Sequence, residues 1–277
     1  MKKLILKIKG WLNTFLKYKD LLILLVQRDL KLKYRRSFLG YLWSILNPLL
    51  SMAVQAIVFT TIFRHSIDNY PVYLICGNIL FSFMRDSSQQ ALTSVVDNAA
   101  LLKKTYVPKY IFTLSKITSG LVNFVFSLGA LLIVMIATGV PFRWQNLLSV
   151  VPIVELYVFC IGLGLFVAAL TVFFRDMKNL WSVVTLAWMY MTPIFYSLES
   201  FYEGDVMKMG GISMLIRRVN PMYMYIQQFR AFIMDYRPVW EVPTAVLMGR
   251  GALVAVVMLI VGIFTFNATK DKFILYI

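Results

Sequence analysis

The chain has 277 residues, 60% of them hydrophobic, and a mean hydropathy of +0.73. Soluble domains sit near half apolar, so this composition excludes an ordinary globular protein and predicts a polytopic membrane protein. The formal charge of +15 comes without a basic, aromatic-bearing soluble module. That argues against a nucleic-acid partner and assigns the basic side chains to cytoplasmic loops and anionic lipid headgroups.

Residues 1–38 predict a cytoplasmic interfacial region. In "MKKLILKIKG", Lys7 and Lys9 interrupt any signal-peptide core. Leu4, Ile8, Trp11 or Leu12, and Phe15 share one helical face, with Lys3, Lys7, Gly10, Thr14 and Lys17 opposite. Residues 21–26 are apolar but too few to cross a bilayer, which takes about 20. The run "QRDLKLKYRRSFLGYLWSILNPLL" then crowds Arg28, Lys31, Lys33, Arg35 and Arg36 against an apolar segment. Asp20 and Asp29, flanked by lysines, read as surface pairs.

Six transmembrane spans follow, at 39–63, 72–97, 117–138, 147–174, 180–198 and 245–268. Lys and Arg number 11 in the first 38 residues. Lys103, Lys104, Lys109, Lys116, Arg175, Lys178, Lys270 and Lys272 share that side, against Arg64, Arg143, Lys208, Arg217, Arg218, Arg230 and Arg237 on the other. This asymmetry predicts both termini in the cytoplasm. The fold expected is all-α: six transmembrane helices in 39–277, an N-terminal interfacial helix, and short re-entrant outer helices between spans five and six.

Span two carries Ser82, Asp86, Gln89 or Gln90, Thr93 and Asp97 at steps of three or four, a polar helix face. Arg85 and Asp86 would cost about 5–7 kcal/mol together if they faced lipid, which favours a water-filled path over an interfacial segment. Being adjacent, they are expected to need separate partners. Trp181, Trp188, Tyr190, Phe195, Tyr196 and Tyr202 crowd span five, and aromatic faces stack on sugar rings as well as forming interfacial belts. Pro193 should break or kink that helix. Residues 98–110 form a basic connector with a short amphipathic helix, 98–105, ahead of Pro108. Residues 199–243 read as two short helices split at Asn220-Pro221, either re-entrant or a cap outside the membrane.

Several chemistries find no support. No glycine precedes a lysine, so no P-loop is present. Gly162-Leu163-Gly164 is a close-packing signal rather than a dinucleotide fingerprint. Cys76, Cys160 and the lone His65 have no metal or disulfide spacing. The acids Glu199, Glu203 and Asp205 sit together in a polar loop as solvated charges. No acidic cluster lies beside a span to serve a membrane transferase, and no inverted repeat supports a secondary transporter, although Arg85 and Asp86 would fit one.

Arg28-Asp29, Lys33-Tyr34, Leu39-Gly40, Trp43 and Pro48, with "FFRD" at 173–176, "TPIFY" at 192–196 and Asn220-Pro221, resemble the ABC-2 type permeases of polysaccharide export. These are the membrane subunits for O-antigen of lipopolysaccharide, teichoic acid and capsule. The resemblance runs in order along nearly the whole chain; the Arg85-Asp86 pair is not part of it. It implies a bacterial inner-membrane permease homodimer that is not itself an enzyme. Two separate ATPase subunits would bind ATP and magnesium, so this chain would hold no cofactor and no metal. The cargo would be a polyprenyl-pyrophosphate-linked glycan, its phosphates met by Arg28, Lys33, Arg35 and Arg36, for which lipid headgroups are the alternative ligand. The channel would be lined by Trp43, Phe81, Ser82, Arg85, Asp86, Gln89, Thr93, Trp188 and Tyr190. Asn98, Leu101, Leu102, Lys103, Lys104 and Thr105 would contact the ATPase. Asn220, Pro221, Met222, Tyr225 and Phe229 would form an outer gate. An ABC-2 permease for a lipid or drug is the alternative with the same fold.

Overall fold

The computed structural model describes residues 16–35, 37–63, 67–104, 107–174, 176–198, 216–237 and 242–273. Within them the chain is helical. The elements are α1 (Lys19–Tyr34), α2 (Trp43–Phe63), α3 (Tyr70–Thr93), α4 (Ala99–Lys104), α5 (Tyr110–Thr138), α6 (Val150–Phe173), α7 (Met177–Met191), α8 (Pro221–Met234) and α9 (Thr244–Thr269). Short 3-10 turns at Gly40–Leu42 and Trp144–Ser149 lead into α2 and α6.

Among the described residues, four segments are long and apolar enough to cross a bilayer: Gly40–Phe59, Tyr110–Thr138, Trp144–Phe173 and Thr244–Lys272. The helices for spans two and five differ for separate reasons. α3 has 24 residues but carries Asn78, Ser82, Arg85, Asp86, Gln89 and Gln90. α7 has 15 residues, about 22 Å of helix, and stops at Met191 instead of running to residue 198. Pro193 offers no N–H and forces the residue before it out of the helical region; Thr192 is extended at φ −101°, ψ 129°. The third span starts at Tyr110, seven residues ahead of the expected 117, because Lys116 finds an ion-pair partner inside the bundle.

α3 is the central helix, with Val72 to Cys76 buried on every side. It packs against α2, α5, α6, α7 and α8. In hydrocarbon the hydrophobic effect no longer drives helices together, so close van der Waals contact and polar links must. The α6–α9 seam shows the first: a Cβ on Gly262 would lie 2.0 Å from the Gly162 carbonyl oxygen, and one on Gly162 would lie 2.4 Å from the Met258 backbone. The close-contact reading of Gly162 therefore holds. α2 shows the second. Pro48 lies inside it and has no N–H for the carbonyl of Ser44; the Ser127 hydroxyl on α5 donates to that oxygen instead, at 3.1 Å. Cys76 and Cys160 are buried free thiols.

Candidate functional site

α2, α3 and α5 together enclose a polar groove of about 300 Å³. Each helix brings a stripe at helical spacing: Ser44, Asn47, Ser51 and Gln55 from α2; Asn78, Ser82, Asp86 and Gln90 from α3; Gly120, Asn123 and Ser127 from α5. Trp43, Phe81, Phe83 and Phe124 add aromatic surface, and Met189 of α7 closes one side. Asn78 Nδ2 donates to Gln55 Oε1 across the groove. Such lining is costly toward lipid and stable only around water or a polar cargo.

Arg85 and Asp86 both line it, 43% and 52% exposed, and they pair with each other at 3.1 Å. The expectation of separate partners is corrected: the long Arg85 side chain folds back to its neighbour, which a Cα-direction argument does not anticipate. Gln90 lines the groove where Gln89 does not, and Thr93 lies a turn beyond it. Trp188 turns away from the groove, its indole N–H donating to Asn220 Oδ1 at 2.9 Å. Tyr190 is exposed, its ring against Phe195.

At the basic end the groove meets a second cleft lined by Asp29, Lys33, Gln90, Lys116 and Asn123. Lys33, Gln90 and Asn123 are common to both, so one path runs from α1 into the bundle. Asp29 is not a surface residue: its side chain is 6% exposed, with Lys116 Nζ at 3.0 Å and Arg28 at 3.1 Å. The fold brings α1 onto α5, which local sequence did not foretell. Arg28 also donates to Asn98 Oδ1 at 3.3 Å, and Asn98 donates to the Ser94 carbonyl, so α1 is tied to the turn before α4. Leu101 and Leu102 pack into the small cluster around Leu25, Ile111 and Phe112, while Lys103 and Lys104 are exposed. Arg35 lines a shallow exposed cleft with Arg28 and Lys31. Arg36 and Thr105 lie outside the described residues, as do the acids Glu199, Glu203 and Asp205. Asp29→Asn leaves Lys116 without its charged partner; a loss of about 2 kcal/mol in detergent unfolding is expected, with Ser37→Ala as a neutral control.

The far end is held by a residue that loop counting missed. Arg230 of α8, counted among the basic residues of the outer side, is 1% exposed. Its guanidinium donates to the carbonyls of Tyr73, Pro193 and Ile194 at 2.8–3.2 Å and lies 3.3 Å from the Tyr73 ring centroid. Tyr70 and Tyr73 hydroxyls donate to the carbonyls of Phe195 and Tyr196, at 2.6 and 2.8 Å. The "TPIFY" backbone thus leaves the helix with its acceptors satisfied by side chains, as buried non-helical backbone requires. Asn220 caps α8 through Met222 N and donates to Thr192 Oγ1 at 2.9 Å, joining the two motifs; Pro221 occupies the first turn. Met222, Tyr225 and Phe229 are fully buried in the core rather than exposed to a path. Tyr225 donates to the Gly251 carbonyl and Gln228 to Glu155 Oε2, fixing α8 to α9 and α6.

The profile of the family described as "ABC-2 type transporter" matches residues 20–234. The O-antigen export system permease protein RfbA of Myxococcus xanthus is 31% identical over 256 residues, covering 92% of this chain and 95% of that protein. An RfbA of Klebsiella pneumoniae is 28% identical over 92% of this chain and 93% of its own. The capsule polysaccharide export inner-membrane protein CtrC of Neisseria meningitidis serogroup B is 24% identical over 64% of this chain and 68% of its own. The matched stretch begins in α1, takes in the whole groove and ends with α8, and the chain belongs to the ABC-2 type transporter family.

Proposed function

We propose that this chain is the permease subunit of an ATP-driven exporter that moves a lipid-linked polysaccharide across the bacterial inner membrane. The observation that carries this is the polar, aromatic-bearing groove within a membrane-spanning bundle, continuous with a basic cleft at one end. Hydroxyl, amide and aromatic side chains match the hydroxyls and C–H faces of sugars, and Lys33 at the mouth matches a phosphate-bearing lipid carrier. The relatives named for O-antigen and capsule export support the same cargo class.

In this reading α3 and α7 complete six crossings, shielded from lipid in a dimer whose two grooves face one another. The exposed apolar faces of α2 and α7, with Leu50, Val54, Leu180 and Val183, supply the contact. The basic end is cytoplasmic, as are both termini. Partner ATPases bind ATP and magnesium and push on α4 and α1, and the Arg28–Asn98 link carries that motion to the groove. α8 is a re-entrant element, its polar groups satisfied within the protein.

The test is made in the native host. Depletion of the chain should accumulate full-length polyprenyl-linked glycan in the inner membrane and remove it from the surface. Complementation by Ser51→Leu/Asn123→Leu, which fills the groove with apolar bulk, should restore membrane protein level but not surface glycan, a drop of about tenfold or more. Intact surface glycan after depletion would overturn the reading in favour of a lipid or drug cargo.

A further inference from the structure

A second, apolar groove of about 130 Å³ lies between α5, α6 and α9. Its walls are Leu114 and Ile117 of α5, Ile161 and Leu165 of α6, and Leu259 and Ile263 of α9. It is separate from the polar path: at 100° per residue, Leu114 and Ile117 stand on average about a third of a turn round α5 from Gly120, Asn123 and Ser127. From Ile117 to Tyr110 it runs about 10 Å along the helix axis toward the basic end. Polar atoms enter its lining only there, from Tyr110 and Asn267.

Immediately beyond that end the charge is positive. Lys109 immediately precedes α5 and donates to the Lys270 carbonyl, using one of the three donors its ammonium has. It also stands 5.4 Å from the Phe273 ring centroid. Lys270 and Lys272 follow one turn after Asn267, with Asp271 the acid beside them. Burial pulls the Lys109 ammonium below its usual pKa, and Lys270 adds to this while Asp271 opposes it; an anion placed there would favour the charged form and offset the burial. Phe266 and Phe273 pack edge to face there, within a cluster against which Leu102 of α4 also packs.

We propose that this groove binds one anionic membrane phospholipid, an acyl chain between α5, α6 and α9 and its phosphate at Lys109, Lys270 and Lys272. The apolar walls suit a hydrocarbon chain and not a glycan, and the basic rim selects an acidic headgroup. The site concerns structure and not cargo, so it stands independently of the proposed function.

Native mass spectrometry of the purified full chain, titrated with phosphatidylglycerol, phosphatidylethanolamine or undecaprenyl phosphate, tests it. One phosphatidylglycerol should be retained about tenfold or more tightly than phosphatidylethanolamine, since each lysine near the headgroup favours net negative charge. Lys109→Gln/Lys270→Gln/Lys272→Gln should abolish that preference without touching the hydrophobic walls. Leu114→Trp, which fills the groove, should remove the retained lipid of either kind. Equal retention of the two phospholipids, unchanged by the triple variant, overturns the proposal in favour of ordinary annular lipid. Tighter retention of undecaprenyl phosphate than of phosphatidylglycerol overturns it in favour of a site for the cargo's lipid.

Discussion

Arg230→Met is expected to lower the unfolding free energy in detergent by about 3 kcal/mol and to sharply reduce the folded yield. The guanidinium supplies donors to three carbonyls, two of them on the non-helical backbone after α7. Each buried acceptor stripped of a partner costs about 1–3 kcal/mol, and water cannot reach a site where the side chain itself is 1% exposed. Methionine preserves the volume and removes the charge, so the measured loss reports the hydrogen bonds and the contact with the Tyr73 ring. Arg230→Lys should recover little of it: an ammonium cannot reproduce a planar fork that spans three acceptors on two elements. A lysine variant as stable as the wild type would show that charge, and not geometry, holds the joint. Thermal unfolding followed by tyrosine and tryptophan emission reads both.

Gly262→Leu should be comparably severe, at about 3 kcal/mol or more, and should show as loss of a monodisperse species on size exclusion. The Gly262 Cα faces the Gly162 backbone so closely that a Cβ would sit 2.0 Å from a carbonyl oxygen. No rotamer relieves a clash at Cβ, so α6 and α9 must separate along their seam, and the contacts that bind them in lipid fall off with distance. Gly249→Leu, on the same helix with open space around its Cβ, should be tolerated. Equal behaviour of the two variants would mean that the seam is not what holds α9 in place.

The basic first residues of the membrane region, the apolar lengths of α2, α5, α6 and α9, the break at Pro193 and the helix boundary at Asn220-Pro221 were all legible in the sequence. Each depends on the residue and its immediate neighbours: transfer free energy, a missing N–H, a fixed φ. Half of the candidate site was legible for the same reason, because Ser82, Asp86 and Gln90 lie at helical spacing. The matching stripe at Ser44, Asn47, Ser51 and Gln55 carried the same signal in α2 but was masked by the apolar residues around it.

Fold class, the membrane setting and the polar character of the path follow from sequence alone, because they are properties of single helices in a known solvent. Tertiary structure decided which stripes face one another and which charges are buried. Asp29 meets Lys116 across 87 positions and Arg230 reaches Tyr73 across 157. Local spacing cannot encode such pairs. An arginine on a short outer helix and an arginine clasping three carbonyls differ only in what the rest of the chain brings to it, and in a low-dielectric interior that difference sets whether the charge is a cost or a fastener.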